Sequence, residues 1–214
     1  ALALALVPAC AGDKAAHDIP LPKAYPFADA ISKIDYQLLG GKRGESRVTV
    51  VDSHTVHVYI RFQPDAPVRQ DDWQVVVTPE FTPSVHWAPH LTPTDRHVVE
   101  QHVFRSPALI AADGQRVITL IPDLDILLYG TPVRWYLDMD APGNRLVLGM
   151  SNSSVDDHVL FMKETGATYP AEEVEIGFYL MVHDDESALK NPFRASLEFL
   201  WIRWGHDLYE AGNP

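Results

Sequence analysis

The chain has 214 residues, which suits one domain, and 46% of them are hydrophobic, which is enough for a proper core. Its 29 acidic and 17 basic residues give a net charge of −12, which argues against phosphate-backbone binding, so no nucleic-acid partner is expected. An acidic surface suits a protein that handles neutral or cationic ligands.

The first residues have the features of a secretory signal. Residues 1–7 form an apolar run that is too short to span a bilayer, and small residues follow it. Cys10 is the only cysteine, and Val-Pro-Ala-Cys resembles a bacterial lipobox, in which the cysteine is lipidated and becomes the new N-terminus. We therefore interpret residues 1–10 as a signal-peptide remnant with a lipobox, and expect an extracytoplasmic protein anchored to the membrane at Cys10. The alternative is an ordinary signal end with an incidental cysteine.

A short polar segment separates this signal from the first regular structure. Residues 11–25 are small, polar and proline-containing, which predicts a tether. Phe27, Ile31 and Ile34 then recur at helical spacing, which indicates a short helix.

Strand patterns dominate residues 26–190. Period-2 alternation marks Thr55–Gln63, Arg134–Asp140 and Val174–His183. Asp113-Gly114 and the sequence Ala141-Pro142-Gly143-Asn144 are hairpin signals. Further strands are predicted at Ser46–Val51, Trp73–Thr78, Arg96–Phe104, Ala108–Ala111, Arg116–Ile121, Arg145–Met150 and Asp157–Lys163. No helical pattern lies between them, so we predict an all-β fold, an antiparallel β-sandwich.

The last segment changes character. Asn191-Pro192 is typical of a helix start. Apolar residues follow at helical spacing up to Gly205: Phe193, Leu197, Leu200, Trp201 and Trp204. Residues 191–214 are therefore predicted to form a linker helix whose remaining apolar face awaits a C-terminal helical domain that is absent from this chain.

Histidine spacing suggests a metal ligand pair that the local sequence disfavours. His86 and His90 are four residues apart, but Pro89 between them argues for a loop. No metal site and no cofactor are predicted. His54, His57, His97 and His102 fall on predicted strands and are interpreted as solvent-face residues.

Two Asp-x-Asp pairs, Asp123/Asp125 and Asp138/Asp140, could serve glycosidic acid–base chemistry or bind calcium. Neither has a glycine-rich ligand loop beside it, so a solvated sheet face or a turn is the preferred interpretation.

Aromatic side chains offer a different chemistry, because exposed rings stack on the apolar faces of sugars. Trp135 and Tyr136 alternate, so one of them should be exposed. The residues expected to contact substrate are His86, Trp87, His90, Trp135 and Tyr136.

Three segments carry a resemblance to a known class of protein: Val103–Ile110, Ile121–Asp125 and Phe199–Gly205. They resemble the N-terminal β-sandwich of bacterial carbohydrate-active enzymes, in which a sandwich precedes an (α/α) six-hairpin glycosidase barrel and an aromatic helix links the two. The resemblance implies an exported polysaccharide-degrading glycoside hydrolase, with an oligo- or polysaccharide as partner and most catalytic residues in the barrel. It assigns no catalytic residue here, so this part is expected to be non-catalytic. The alternative is a free-standing surface lipoprotein that binds glycan or another ligand.

Overall fold

The computed structural model describes residues 15–23, 26–38, 44–63, 68–69, 73–88, 97–99, 108–129, 134–151, 160–162, 168–169 and 173–205. The strands are β1 (Ala15–Asp18), β2 (Ile31–Leu38), β3 (Glu45–Val50), β4 (Thr55–Phe62), β5 (Val68–Arg69), β6 (Trp73–Pro79), β7 (Val85–Trp87), β8 (His97–Val99), β9 (Leu109–Ala112), β10 (Val117–Pro122), β11 (Arg134–Asp140), β12 (Arg145–Ser151), β13 (Leu160–Met162), β14 (Thr168–Tyr169) and β15 (Val174–His183). The helices are α1 (Phe27–Ala30), α2 (Leu124–Tyr129), α3 (Glu186–Lys190) and α4 (Arg194–Leu200), and α4 continues into a π-helical turn at Trp201–Gly205.

Two antiparallel sheets form the body of the protein. Sheet A has the strand order β1-β2-β6-β12-β11, and sheet B has the order β3-β4-β15-β10-β9-β7. Two short ribbons, β13-β8 and β14-β5, accompany them. The predicted all-β, antiparallel, sandwich-like fold with a C-terminal helix is confirmed. The expectation that no helix lies between the strands is wrong at α2, which follows β10.

The main core lies between the two sheets. Sheet A contributes Ile34, Tyr36, Val75, Val77, Leu137 and Leu148, and sheet B contributes Val58, Ile60, Leu120, Ile176, Phe178 and Leu180. These residues alternate along their strands, because successive side chains point to opposite faces of a sheet. Burying each large apolar side chain contributes about 1.5–3 kcal/mol.

The outer face of sheet B is also covered. Ile121, Tyr179 and Met181 pack against Phe199, Leu200 and Trp204 of the C-terminal helix. Further along the sheet, Ile110, Ala112 and Val117 pack against Ala188, Leu189 and Phe193. Burial on both faces explains why β15 and β10 are apolar almost throughout.

The start of the fold differs from the expectation. Residues 15–18, predicted to lie in a tether, form the edge strand β1 paired with β2, and Ile19 is buried in the core. The helix expected from Phe27, Ile31 and Ile34 ends at Ala30, and β2 follows. A bulge between Ile31 and Lys33 lets both isoleucines face the core at a spacing of three, which mimics a helical period.

The predicted turns and the C-terminal helix can be compared directly. Gly114 sits between β9 and β10 with φ of 86°, and Asn144 ends the β11–β12 turn with φ of 52°, as their turn chemistry predicts. The helix start predicted at Asn191-Pro192 is wrong, because Asn191 is the C-cap of α3 and α4 begins at Arg194.

Candidate functional site

A cluster of polar side chains lies on the outer face of sheet B, where the C-terminal helix packs on β15. His57 on β4 and Tyr179 on β15 are register partners there. Gly177 lies beside them on β15 and has no side chain. A Cβ at this position would lie only 3.1 Å from Nε2 of His57 and 3.0 Å from Cβ of Asp123, so the glycine leaves room for both side chains. A glycine at this position therefore lets a histidine and a carboxylate meet on a crowded sheet surface.

Asp123 is the centre of the cluster. Its Oδ2 lies 2.8 Å from Nε2 of His57, and its side chain is only 4% exposed. Its backbone N–H donates to the carbonyl of Gly177 at 2.8 Å, and its Oδ1 accepts the N–H of Asp125 at 3.1 Å. The residue thus ends β10 and turns the chain into α2.

Electrostatics favour the ionised form of Asp123. Burial alone would raise its pKa, but the interaction with His57 and the charge of Arg203 outweigh burial, so the pKa of Asp123 is lowered. Burial, together with the nearby charge of Asp123, raises the pKa of Tyr179 to about 12. The Tyr179 hydroxyl therefore remains a neutral hydrogen-bonding group at physiological pH.

Asp125 connects this cluster to the C-terminal helix. Nε1 of Trp204 donates to Oδ1 of Asp125 at 2.9 Å, and Arg203 donates to Oδ2 at 3.1 Å. The Arg203 guanidinium also lies over the rings of Tyr179 and Trp204, 5.0 and 5.4 Å from their centroids. We call the five residues His57, Asp123, Asp125, Arg203 and Trp204 the helix anchor, because their contacts fix the π-helical turn on the sandwich.

The polar contacts of the helix anchor attach the C-terminal helix to the sandwich. Asp125 uses both carboxylate oxygens on helix side chains, and Asp123 uses both of its oxygens on His57 and the α2 backbone. The hydrogen bonds that Asp125 accepts from Arg203 and Trp204, and the one that Asp123 accepts from the Asp125 N–H, are charge-assisted and therefore stronger than neutral ones. Together they hold the helix in one orientation on sheet B.

The four predicted aspartates do not converge. Asp123 and Asp125 lie at the end of sheet B, and Asp138 and Asp140 lie on β11 of sheet A. The solvated-face interpretation is wrong for Asp123 and Asp138, whose residues are 3% and 8% exposed. Asp140 is a turn residue as expected, since it accepts the N–H of Gly143 at 2.9 Å.

The solvent-face interpretation is also wrong for His57, which is largely buried beside Asp123. His54 and His183 stack on each other near the end of β15, with ring centroids 5.0 Å apart. His97 lies in β8, and His102 lies outside the described residues.

The predicted substrate contacts fall on two edge strands. His86, which is exposed, and Trp87, which is half-buried, lie on β7, and Trp87 meets the ring of Phe193 edge-on at 5.4 Å. Trp135 and Tyr136 lie on β11, opposite Met150 and Gly149. Because β11 contacts β9, the neighbour of β7, both edges border the same side of the sandwich. His90 and Cys10 lie outside the described residues.

A second polar cluster lies at the edge of sheet A. Lys33 bridges Asp35 at 2.8 Å and Asp18 at 3.5 Å. Burial raises the pKa of Asp35, whereas hydrogen bonding to Asp35 and the charge of Lys33 lower the pKa of Asp18. A cavity of about 390 Å³ beside them is lined by residues 18–21 and 31–34. The register pairs Asp18 with Asp35 on neighbouring strands, so the cluster ties β1 to β2.

Within the described ranges, no group of three or more His, Cys, Asp and Glu side chains is arranged to hold a metal ion. No helix in those ranges combines the length and apolar character needed to cross a membrane. Comparison with protein-family models, curated proteins and solved structures gives no match.

The sequence carried one overlooked signal for the helix anchor. Asp123 follows the apolar strand Val117–Pro122 and precedes a run of leucines and isoleucine, which is the position of a helix-capping aspartate. The partner histidine lies far away in sequence, on β4, and its meeting with Asp123 depends on strand order.

Proposed function

We propose that this chain is the N-terminal β-sandwich part of an exported polysaccharide-degrading glycoside hydrolase, contributing to cleft shape and glycan binding without being catalytic alone. The observation that carries the proposal is the C-terminal helix, which is fastened to the sandwich on one side and displays apolar side chains on another.

The outward side of that helix has the composition of an interface. Leu197, Trp201 and Ile202 are 50%, 55% and 75% exposed, although all three are large and apolar. Leu197 and Trp201 are four residues apart and so share one helix face. The ion pair between Arg194 and Glu198 borders this outward stripe. Large exposed apolar side chains with a polar border are typical of a surface that another protein domain covers.

The helix anchor fixes the position of this stripe relative to the sandwich. Asp125 holds Arg203 and Trp204 on the inner side, so Trp201 and Ile202 project from a fixed backbone. A domain docked on the stripe would therefore have a defined orientation relative to the sandwich. In our proposal that domain is the helical glycosidase barrel.

The glycan-binding part of the proposal rests on the edge formed by β7 and β11. Trp87 contacts Phe193 just before α4, so the β7 edge and the C-terminal helix form neighbouring surfaces. His86 is exposed beside it. Ligands commonly bind where two domains meet, so the substrate cleft of the whole enzyme would open here.

Binding and turnover separate this proposal from its rivals. We expect the 214-residue protein to bind at least one member of a panel of plant and microbial polysaccharides, with no hydrolysis of any. His86→Ala should weaken binding, and Thr49→Ala on the remote strand β3 serves as the matched control. Turnover that disappears in Asp138→Asn or Asp140→Asn would instead identify the sandwich as the enzyme.

The length of the native polypeptide distinguishes the enzyme from a free-standing lipoprotein. We expect mass spectrometry of the protein isolated from its own cells to reveal several hundred further residues after Pro214. A native chain that ends at Pro214 would support the lipoprotein that binds glycan or another ligand.

Localisation is proposed to depend on Cys10. Replacing Cys10 with Ser should move the protein from the membrane fraction to the soluble fraction, because stable anchoring requires more than one acyl chain and lipoprotein modification supplies them at that cysteine. Fractionation followed by immunoblotting measures the change. Retention of Cys10→Ser in the membrane fraction would refute the lipobox interpretation.

A further inference from the structure

His54 and His183 form a stacked pair that joins two separate segments. His54 lies in the turn between β3 and β4, and His183 is the last residue of β15. Their rings are 5.0 Å apart between centroids and 14° from parallel. The backbone N–H of Val182 donates to the carbonyl of His54 at 2.9 Å, so the turn is held against the end of β15.

The surroundings of the two rings indicate which ring nitrogens carry a proton while the rings are stacked. Nδ1 of His54 lies 3.1 Å from the carbonyl oxygen of Val182, which can only accept, so this nitrogen carries a proton. Nε2 of His183 is buried, and no described residue offers it a hydrogen-bond partner. A proton added there would be a buried, unsatisfied charged donor, which is costly.

The groups that face His183 come from three elements. The β3–β4 turn presents His54 and Asp52, the start of α3 presents Asp185, and β10 presents the apolar residue Val117 as its register partner. Asp185 Oδ2 is 3.7 Å from Nδ1 of His183, but that carboxylate is half exposed and already caps α3 by accepting the N–H of Ala188 at 3.0 Å. Burial and the charge of His54 outweigh the two aspartates and lower the pKa of His183.

We propose that the His54–His183 stack is an acid-labile clasp, which holds the β3–β4 turn on the end of β15 while His183 is neutral and loosens when His183 is protonated. Two stacked cations repel each other, and the buried Nε2–H of His183 has no described acceptor. The clasp is independent of any glycan-binding function.

The direction of the pH dependence follows from linkage. The pKa of His183 is lower in the folded protein than the ordinary value of about 6.5 in the unfolded chain. The stability that neutral His183 provides is therefore complete above that ordinary value and declines as the pH falls towards the folded pKa.

Hydrogen–deuterium exchange at pH 7.5 and pH 5, corrected for the intrinsic exchange rate, tests the clasp. Peptides covering residues 51–55 should exchange roughly tenfold faster at the lower pH, whereas peptides from β10 should not change. His183→Gln should abolish this difference, and His57→Gln, at a largely buried histidine on the same sheet face, should retain it. Equal exchange at both pH values, or a difference that persists in His183→Gln, would overturn the proposal.

NMR titration of the histidine rings provides a second measurement that does not need the His183 variant to fold. His183 should titrate below pH 6.5, and its midpoint should rise in His54→Gln because the repelling charge is gone. A His183 midpoint at or above 6.5, or one that His54→Gln leaves unchanged, would overturn the proposal.

Discussion

Asp123 is a residue whose burial and charge have to be considered together. A carboxylate that is removed from water is unfavourable by itself, and His57, Arg203 and the Asp125 N–H make it favourable. Removing His57 would therefore leave the buried carboxylate of Asp123 without its nearest charged or polar side-chain partner. Gly177 supports the same contact, because the His57 imidazole and the Asp123 side chain occupy the space that a side chain at Gly177 would fill.

Asp123→Asn should lower the free energy of unfolding by about 1–3 kcal/mol at pH 7, since the amide keeps the volume but loses the charge. The pKa of Asp123 is lower in the folded state, so the advantage of the wild type is present above about pH 4 and is lost as the pH falls through the folded pKa. Urea unfolding of both proteins from pH 7 to pH 3 measures this. Asp184→Asn, at an exposed aspartate, is the control; a wild-type advantage that stays constant down to pH 3 would contradict the prediction.

Gly177→Ala should destabilise the protein by about 1–3 kcal/mol, because the new methyl group would lie 2.7 Å from Cδ1 of Ile126 and 3.1 Å from Nε2 of His57. The ring resonances of His57 in NMR spectra should shift as the imidazole is displaced. Gly114→Ala is the matched control, since no atom lies within 4 Å of its Cβ and only its φ of 86° is strained. It should destabilise without moving His57; unchanged His57 resonances in Gly177→Ala would disprove the packing argument.

At the scale of elements, the C-terminal helix is attached by polar groups at its end and by apolar packing along its length. Phe199, Leu200 and Trp204 pack on Tyr179 and Met181, and Asp125 then fixes the π-helical turn. The apolar contacts supply most of the burial, and the carboxylate selects the rotation of the last turn.

Asp125→Ala should loosen that last turn without unfolding the sandwich. It removes the acceptor of Trp204 Nε1 and the partner of Arg203, so exchange of amide hydrogens in residues 201–205 should accelerate about tenfold. Glu198→Ala, which breaks only the exposed pair with Arg194, is the control and should change exchange little. Equal acceleration in the two variants would show that Asp125 is not the anchoring residue.

An element could be predicted from the sequence when residues close together in the chain determine its structure. Alternation in β4 and β15 needs only the pleat of a strand, and both strands were predicted within a residue of their ends. The spacing of Ile31 and Ile34 indicates a helix wrongly, because a bulge changes the period of the strand, and a bulge depends on the partner strand β6. The meeting of His57 with Asp123 was unpredictable for the same reason, since it requires β4, β15 and β10 to be neighbours.

At the scale of the whole molecule, one surface is more apolar than an isolated β-sandwich requires. Leu197, Trp201 and Ile202 of the outward stripe are at least half exposed, so they leave apolar area in contact with water. Its presence is explained if its stabilising contacts are made with another domain. The stripe can therefore be mutated without harming the sandwich itself.

Ile202→Lys should leave the free energy of unfolding of the 214-residue protein within about 0.5 kcal/mol of the wild type. In the proposed full-length hydrolase, the same change should increase proteolytic cleavage after residue 205, because the proposed docked domain would lose an apolar contact. Val50→Lys, at a residue that is 59% exposed on β3, is the matched control. Full-length Ile202→Lys that resists proteolysis like the wild type would exclude this docking surface.

The position of β15 has a consequence for how the chain can fold. β15 lies between β4 and β10, and partners such as Tyr59 and Glu175 are 116 positions apart. Until residues 174–183 have been synthesised, sheet B exists only as two fragments, β3-β4 and β10-β9-β7, each with an unpaired edge. Closing such long loops is slow, and open edges invite association with other chains. Truncation before Val174 would therefore leave sheet B as two separate, aggregation-prone parts. The synthesis of β15 determines when sheet B can be completed and its open edges covered.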